Sequence, residues 1–259
     1  MTLAHEPWAD YHAKRAEYVT AHSLSTFRRC PLEFIMERRG ELVKPDSPAF
    51  AFGRACHTLI LEGEAALQEQ YVVGAPINPK TQRPYGRDTK AYAEWLAAQT
   101  RPVISTEELE LATAMRESVQ AHDVACALLS DGEPEGVLRG EWCGVQCQSR
   151  LDWYSDGAGI VDLKTCEDLD RFERDLRAFE YAEQVGGFYY GFAQELGLPA
   201  NGAAIIAVEK RQPYRTGVWQ FTDTSLKTLV ERTEQDLLAV AKALETGQFR
   251  TRYEEARWL

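Results

Sequence analysis

Two periodicities divide the chain. Up to about residue 130 the apolar positions recur at helical spacing, and from about 135 they alternate as in half-buried strands. "HSLSTFRRCPLEFIMERRG" (22–40) predicts a helix capped by Ser23 or Ser25 and stopped by Gly40. "PAFAFGRACHTLILEG" (48–63) predicts a second, with Pro48 near its start and Gly63 past its end. Residues 74–88 are rich in Pro, Gly and basic residues and form a loop, long enough to be functional. A short helix is expected at about 89–99. A long one follows the capping box Ser105…Glu108. Five strands are then predicted, at 135–143, 145–155, 159–165, 203–210 and 216–222. Helices fall at about 168–196 and 223–246. This order predicts an α/β (α+β) sandwich, a central mixed β-sheet flanked by helices, and not a doubly wound fold. No Gly-rich phosphate loop is present.

Composition adds bounds. The chain has 259 residues, 44% apolar and 10% aromatic, enough for one large domain with its own core. No apolar run approaches the roughly 20 residues that cross a bilayer, so no membrane association is expected. The start, "MTLAHEPWADYHAKRAEYV", lacks the apolar centre of a secretory signal, and a cytoplasmic location is expected. Six cysteines are then expected to be free thiols, and Cys143-x3-Cys147 has no second pair at zinc spacing. A formal charge of −11 argues by itself against a nucleic-acid partner. It averages over faces, however, and basic clusters stand at Arg28-Arg29, Arg38-Arg39, Lys80/Arg83/Arg87/Lys90 and Lys210-Arg211/Arg215.

The chemistry concentrates on one hairpin. Gln146, Gln148, Arg150 and Asp152 alternate with Val145, Cys147, Leu151 and Trp153. In the next strand Ile160, Asp162 and Lys164 alternate with Val161 and Leu163. A three-residue turn, Asp156-Gly157-Ala158, pairs 155 with 159 and therefore Asp152 with Asp162. The two carboxylates then face each other at about 4.5–5.5 Å between Cβ atoms. A one-residue slip would break the polar face. Facing like charges are destabilising, and a hard divalent cation is a direct remedy, because Mg2+ takes carboxylates, waters and phosphate oxygens. Lys164 is placed to hold or deprotonate a water or to steady a phosphate. Glu141 lands on the same face if Cys143-Gly144 makes a tight turn, and is a third acidic candidate. The competing reading is a solvated polar face with ordinary ion pairs.

Arg150-Leu-Asp152 followed by Ile160-Val-Asp162-Leu-Lys164 resembles the core of the PD-(D/E)xK nucleases, with Asp as the middle acid. Gly53-Arg54-Ala55-Cys56-His57 resembles the G-x-x-x-H motif of the RecB-like branch. Tyr181-Ala-Glu-Gln184 resembles that branch's glutamine helix, although Phe188, then Tyr189 and Tyr190, stand where the family usually has Tyr four residues after Gln. "AFGRACHTLILE" and "LSTFRRCPLEF" look most like the RecE/exonuclease VIII group of phage recombination exonucleases. The resemblance spans about residues 20–210.

It implies a restriction-endonuclease-like core in a single nuclease domain, 1–259. About 20–130 would be a helical part with the His motif, about 135–222 the catalytic sheet, and 223–259 a helix and tail. It implies one or two Mg2+ ions, with Mn2+ as a substitute, held by Asp152, Asp162, His57 and the Leu163 carbonyl. Lys164 would assist the nucleophile, and Gln184, on a helix face shared with Tyr181, would orient substrate. Arg54 lies one turn before His57, within reach of a phosphate; Arg28, Arg29 and the Lys80–Lys90 loop are further candidates for 5′-phosphate or strand contacts. Some RecB-like relatives hold an iron–sulfur cluster, but no cysteine follows Cys166, so no iron–sulfur cluster is expected. The implied activity is 5′→3′ digestion of linear double-stranded DNA by a trimeric ring, leaving 3′ tails for a single-strand annealing protein, in a phage or prophage setting within a bacterial host. A structure-specific or RecB-like endonuclease, a non-catalytic DNA-binding protein and an acidic DNA mimic are the alternatives.

Overall fold

The computed structural model describes residues 3–42, 48–251 and 253–254. Five strands form one sheet in the order β3-β4-β5-β6-β7: β3 (Glu133–Trp142), β4 (Val145–Ser155), β5 (Gly159–Cys166), β6 (Ala203–Glu209) and β7 (Thr216–Gln220). Two short strands, β1 (Val72–Val73) and β2 (Val103–Ile104), pair separately. The β3, β4 and β5 strands run as an antiparallel meander, β6 joins β5 in parallel, and β7 returns antiparallel. The parallel step needs a crossover, and the helical segment between β5 and β6 supplies it. The sheet is mixed and flanked by helices, in agreement with the predicted class.

Each face of the sheet carries its own apolar cluster. One joins Leu138, Trp142, Leu151, Ile160 and Ile205 to Phe188, Phe192 and the helix Asp223–Thr246. The other joins Val161, Leu163, Ile206 and Val208 to the helices Pro48–His57 and Thr106–Ala121. Trp142, Phe188 and Phe192 lie 5.9–6.0 Å apart by ring centroid and are at most 2% exposed. Burial of each such side chain contributes roughly 1.5–3 kcal/mol.

Helix boundaries follow local chemistry. The helix expected over 22–40 is two. Thr20, not Ser23 or Ser25, caps Ala21–Arg29, with Ser23 returning the bond as a capping box. Cys30 is extended (φ −156°) because the ring of Pro31 clashes with a helical residue before it, and Pro31 opens a second helix to Arg38. The Ser105–Glu108 box is formed and starts Thr106–Ala121. The 48–63 pattern is α-helical only to His57; Thr58–Glu62 is a π-turn ending at Gly63. The 168–196 stretch breaks into Phe172–Ala178, a π-helix Glu183–Tyr189 and Tyr190–Glu195. The expected C-terminal helix is found at Asp223–Thr246; the tail expected after it is described only in part, residues 252 and 255–259 lying outside the described residues. Among the described residues no helix is long and apolar enough to cross a membrane.

One irregularity positions the site. Val145, Cys147 and Leu151 face the first cluster, but Trp153 faces the second and Tyr154 the first. The alternation expected for this strand therefore slips once, around Asp152. Opposite it, Glu135 has φ 60°, in the left-handed region. The register is unchanged on either side, so the distortion is confined to this rung, where it re-aims the two side chains.

Candidate active site

The β4–β5 hairpin has the expected register, Ser155 with Gly159, Tyr154 with Ile160 and Trp153 with Val161. The Ser155 hydroxyl accepts from the Gly157 and Ala158 amides and shapes the turn. Gly159 is required there: its φ is 81°, and a Cβ would meet the Gly202 carbonyl at 2.1 Å. The next rung is Asp152 with Asp162, and there the backbone ladder ends. Asp152 Oδ2 instead accepts the Leu163 amide at 2.9 Å. In a strand the carbonyl of a residue points to the same edge as its amide, so the Leu163 carbonyl also faces Asp152.

His57 reaches the same carboxylate from the end of its helix, Nδ1 to Oδ2 at 3.4 Å. Lys164 Nζ lies 2.6 Å from Asp162 Oδ2 and 4.8 Å from the centre of the Tyr181 ring. Tyr181 is itself packed against Phe172 and Phe179. The sequence-predicted Asp152, Asp162, Lys164, His57 and Tyr181 thus meet.

Asp162 is 1% exposed, and its carboxyl is pushed up to about 6, by burial and by Asp152, against the pull of Lys164. Burial also opposes the charges on Asp152, His57 and Lys164, but their partners outweigh it. His57 and Lys164 hold Asp152 below the ordinary carboxylate range. Asp152 raises His57, and Asp162 with Asp152 raises Lys164, which is thereby kept as an ammonium and not as a base.

A third acid completes the cluster, and it is Glu135. The flanking pairs Pro134–Trp153 and Gly136–Leu151 put it opposite Asp152. Burial and Asp152 raise its carboxyl, and Arg150 donates to it and to the Glu6 carbonyl. The Cys143-Gly144 turn is the tight two-residue one (φ 50° and 76°), so Glu141 is on the face expected. But Glu141 pairs with Gln146, six residues from Asp152, about 20 Å along the strand, and is exposed beside the Gln146 amide. Counting the register down from that turn would have selected Glu135; face alone selected the wrong acid.

One ligand atom each of His57, Glu135 and Asp152 lie within 4.8 Å of one another. Asp162 Oδ2 is buried and, among the described residues, is held by the Lys164 ammonium alone. An imidazole nitrogen and several carboxylate oxygens fit a divalent cation. The cluster opens into a pocket of about 240 Å³ walled by Trp8, Arg54, His57, Glu135, Asp152 and Tyr189, among others; Asp162 and Lys164 are not in its wall.

Gln184 donates to the Tyr189 hydroxyl at 2.7 Å. The two are five residues apart, which α-helical spacing would put on different faces. The π-turn, with its i to i+5 repeat, brings them together, while Phe188 turns into the core. The Gly186-Gly187 pair serves packing: a Cβ on Gly187 would lie 2.5 Å from Thr233 Oγ1. Arg28 is paired with Glu180 and Asp236, and Arg29 with Glu33, so neither is seen at the cluster. The 74–88 loop is an exposed hairpin, with Arg87 paired to Glu108.

The family described as "PDDEXK-like domain of unknown function (DUF3799)" matches residues 21–258. No curated protein matches the chain. Among solved structures, a "Putative exonuclease" from Eubacterium rectale superposes with a TM-score of 0.68 at 16% identity, over 99% of this chain and 91% of that one.

Proposed function

Since the chain belongs to this PDDEXK-like family, we propose that it is a divalent-metal-dependent exodeoxyribonuclease acting on linear double-stranded DNA. One observation carries the reading: His57, Glu135 and Asp152 bring ligand atoms within 4.8 Å of one another beside the buried Asp162–Lys164 pair. His57, Glu135, Asp152 and Asp162, with the Leu163 carbonyl, would hold the metal, Mg2+ or Mn2+. When bound, it supplies an acidified water and neutralisation of phosphate charge. Arg150 holds Glu135 in place, and the Leu163 amide fixes one oxygen of Asp152. Lys164, kept cationic, is a donor to the attacking water or to a phosphate oxygen. The Tyr189 hydroxyl accepts from Gln184, which leaves its own proton to donate toward the pocket.

The resemblance to RecE-like exonucleases supports the finer reading: 5′→3′ polarity, 3′ single-stranded tails, a ring-shaped trimer and hand-over to an annealing protein. The solved neighbour named as an exonuclease supports end-dependent action. The test is linear duplex labelled at either end, incubated with Mg2+ and then with EDTA, beside closed circular DNA and sedimentation. Expected are metal-dependent loss from 5′ ends, resistance of the circle and a trimer. Lys164→Ala is expected to lower the rate at least 100-fold while leaving the fold intact; a wild-type rate would refute the assignment, and digestion of the circle would replace it with an endonuclease.

A further inference from the structure

Between the helix Phe172–Ala178 and the π-helix Glu183–Tyr189 the chain turns at Phe179-Glu180-Tyr181. Phe179 is 61% exposed, and every other phenylalanine among the described residues is buried or half-buried. Its ring is nevertheless connected to the site. It lies 5.5 Å from the Tyr181 ring, and Tyr181 is the ring on which the Lys164 ammonium rests at 4.8 Å. Tyr181 also packs on the buried Phe172, 6.1 Å away. Three rings thus lead from the core to solvent, each inclined by about 30° to the next, with Phe179 outermost.

The turn that presents this ring is held in place. Glu180 has φ 55°, a left-handed conformation that is costly for a residue with a side chain. Two contacts sustain it. The Arg28 guanidinium donates to its carboxylate at 2.9 Å, and its carbonyl accepts the Gln184 amide at 2.9 Å. Arg28 is pinned in turn by Asp236 of the helix Asp223–Thr246, at 3.1 Å. A strained turn, fixed by contacts from separate elements, therefore keeps a phenyl ring in water, where it forgoes the burial usual for its type. The arrangement is accounted for if a flat apolar group covers the ring when substrate is bound.

Chemistry identifies that group. Lys164 offers an ammonium to a phosphate oxygen. Two ring contacts away, Phe179 offers an open π-face. At about 3.4 Å of rise per nucleotide, a phosphate at Lys164 lies within about three nucleotides of that ring. A planar ring tied to a phosphate is a nucleotide. Inside a duplex its faces are covered by the neighbouring bases, so only a base drawn out of the stack can meet the phenyl ring.

We propose that Phe179 is a stacking platform for an unpaired base of the strand being cut, joined to Lys164 through Tyr181. The inference rests on the nuclease reading and adds to that site a base subsite that holds the duplex end open.

Binding in Ca2+ is measured by fluorescence anisotropy with a 5′-phosphorylated duplex oligonucleotide. A companion set carries a single abasic position, walked through the terminal nucleotides of either strand. Phe179→Ala and Phe179→Leu are expected to bind the parent duplex about tenfold more weakly, and Phe179→Trp within about twofold of wild type. At one abasic position the wild type should lose the same factor, and Phe179→Ala should add nothing to it. With Mg2+ the Phe179→Ala loss should appear in KM, with kcat within about twofold. Wild-type binding by Phe179→Ala or Phe179→Leu, a Phe179→Ala loss that persists at every abasic position, or a fall in kcat alone would overturn the proposal. So would a changed sedimentation coefficient of Phe179→Ala, which assigns the ring to a contact between copies, and so would a wild type that binds no duplex. If the wild type binds but cleaves no DNA, the nuclease reading fails separately, and the abasic series still decides the platform.

Discussion

The Asp162 carboxylate is 1% exposed, is held by the Lys164 ammonium at 2.6 Å and still faces Asp152 across the hairpin. A divalent cation would relieve the repulsion between the two facing acids, and this ties the residue-scale geometry to the chemistry. The prediction at this scale separates two acids on one strand. Glu135→Gln removes a ligand atom from the His57–Asp152 group and should lower metal-dependent DNA digestion about 100-fold. Glu141→Gln, at the exposed hairpin end, should stay within about twofold. Initial rates at saturating and limiting Mn2+ check both, and equal effects would mean that the cluster is misassigned. Asp152, Asp162 and Lys164 were legible in sequence, because period-two alternation and a three-residue turn fix which side chains oppose. Glu135 was missed because position along the strand, and not face, decides proximity.

At the scale of elements, the site depends on departures from regular structure. One π-turn follows His57 and another brings Gln184 to Tyr189. A left-handed Glu135 lies opposite the strand's slip. Sequence periodicity reports the regular part of an element and is blind to a one-residue insertion whose effect is a local change of winding. The exchange Phe188→Tyr with Tyr189→Phe tests this. It recreates the family's usual Gln-to-Tyr spacing, but position 188 is 1% exposed against Trp142 and Phe192. The swap should lose stability, about 1–3 kcal/mol for a hydroxyl buried without a partner, and should lower activity at least as much as Tyr189→Phe alone. Urea midpoints and digestion rates provide the check. Wild-type behaviour of the swap would mean that the winding, and hence the Gln184–Tyr189 bond, is irrelevant.

Over the whole molecule, charge clusters divide by what they touch. Lys210, Arg211 and Arg215 look like a basic patch in sequence. In the fold they pair with Glu167, Asp168, Asp170 and Glu209 at the end of the sheet. Glu209 is 1% exposed and accepts from both sides of the Arg215 fork, at 2.8 and 2.7 Å. That fork, outweighing burial and helped by the Leu169 amide, holds its carboxyl down to about 2. Its folded value is therefore below its unfolded one. The stability it gives is complete above about pH 4.5 and is lost as pH falls toward 2. Glu209→Gln should be less stable than wild type at pH 7, and the gap should narrow between pH 4.5 and 2.5, as read from thermal midpoints; a gap that does not change with pH would remove this carboxylate from the acid response.

By itself the sequence determined the five strands, the mixed sheet, the hairpin register and the Asp152–Asp162–Lys164 set. These rest on contacts between near neighbours, which alternation and turn length specify. Only the tertiary structure decided which acid joins them, which arginines are engaged elsewhere and that Trp8 and Tyr11 wall the pocket. Those outcomes depend on where separate segments cross in space: Glu135 against His57, Arg28 against Asp236, Trp8 against Arg54. No local pattern encodes such crossings, because the energy that selects them comes from packing the whole chain.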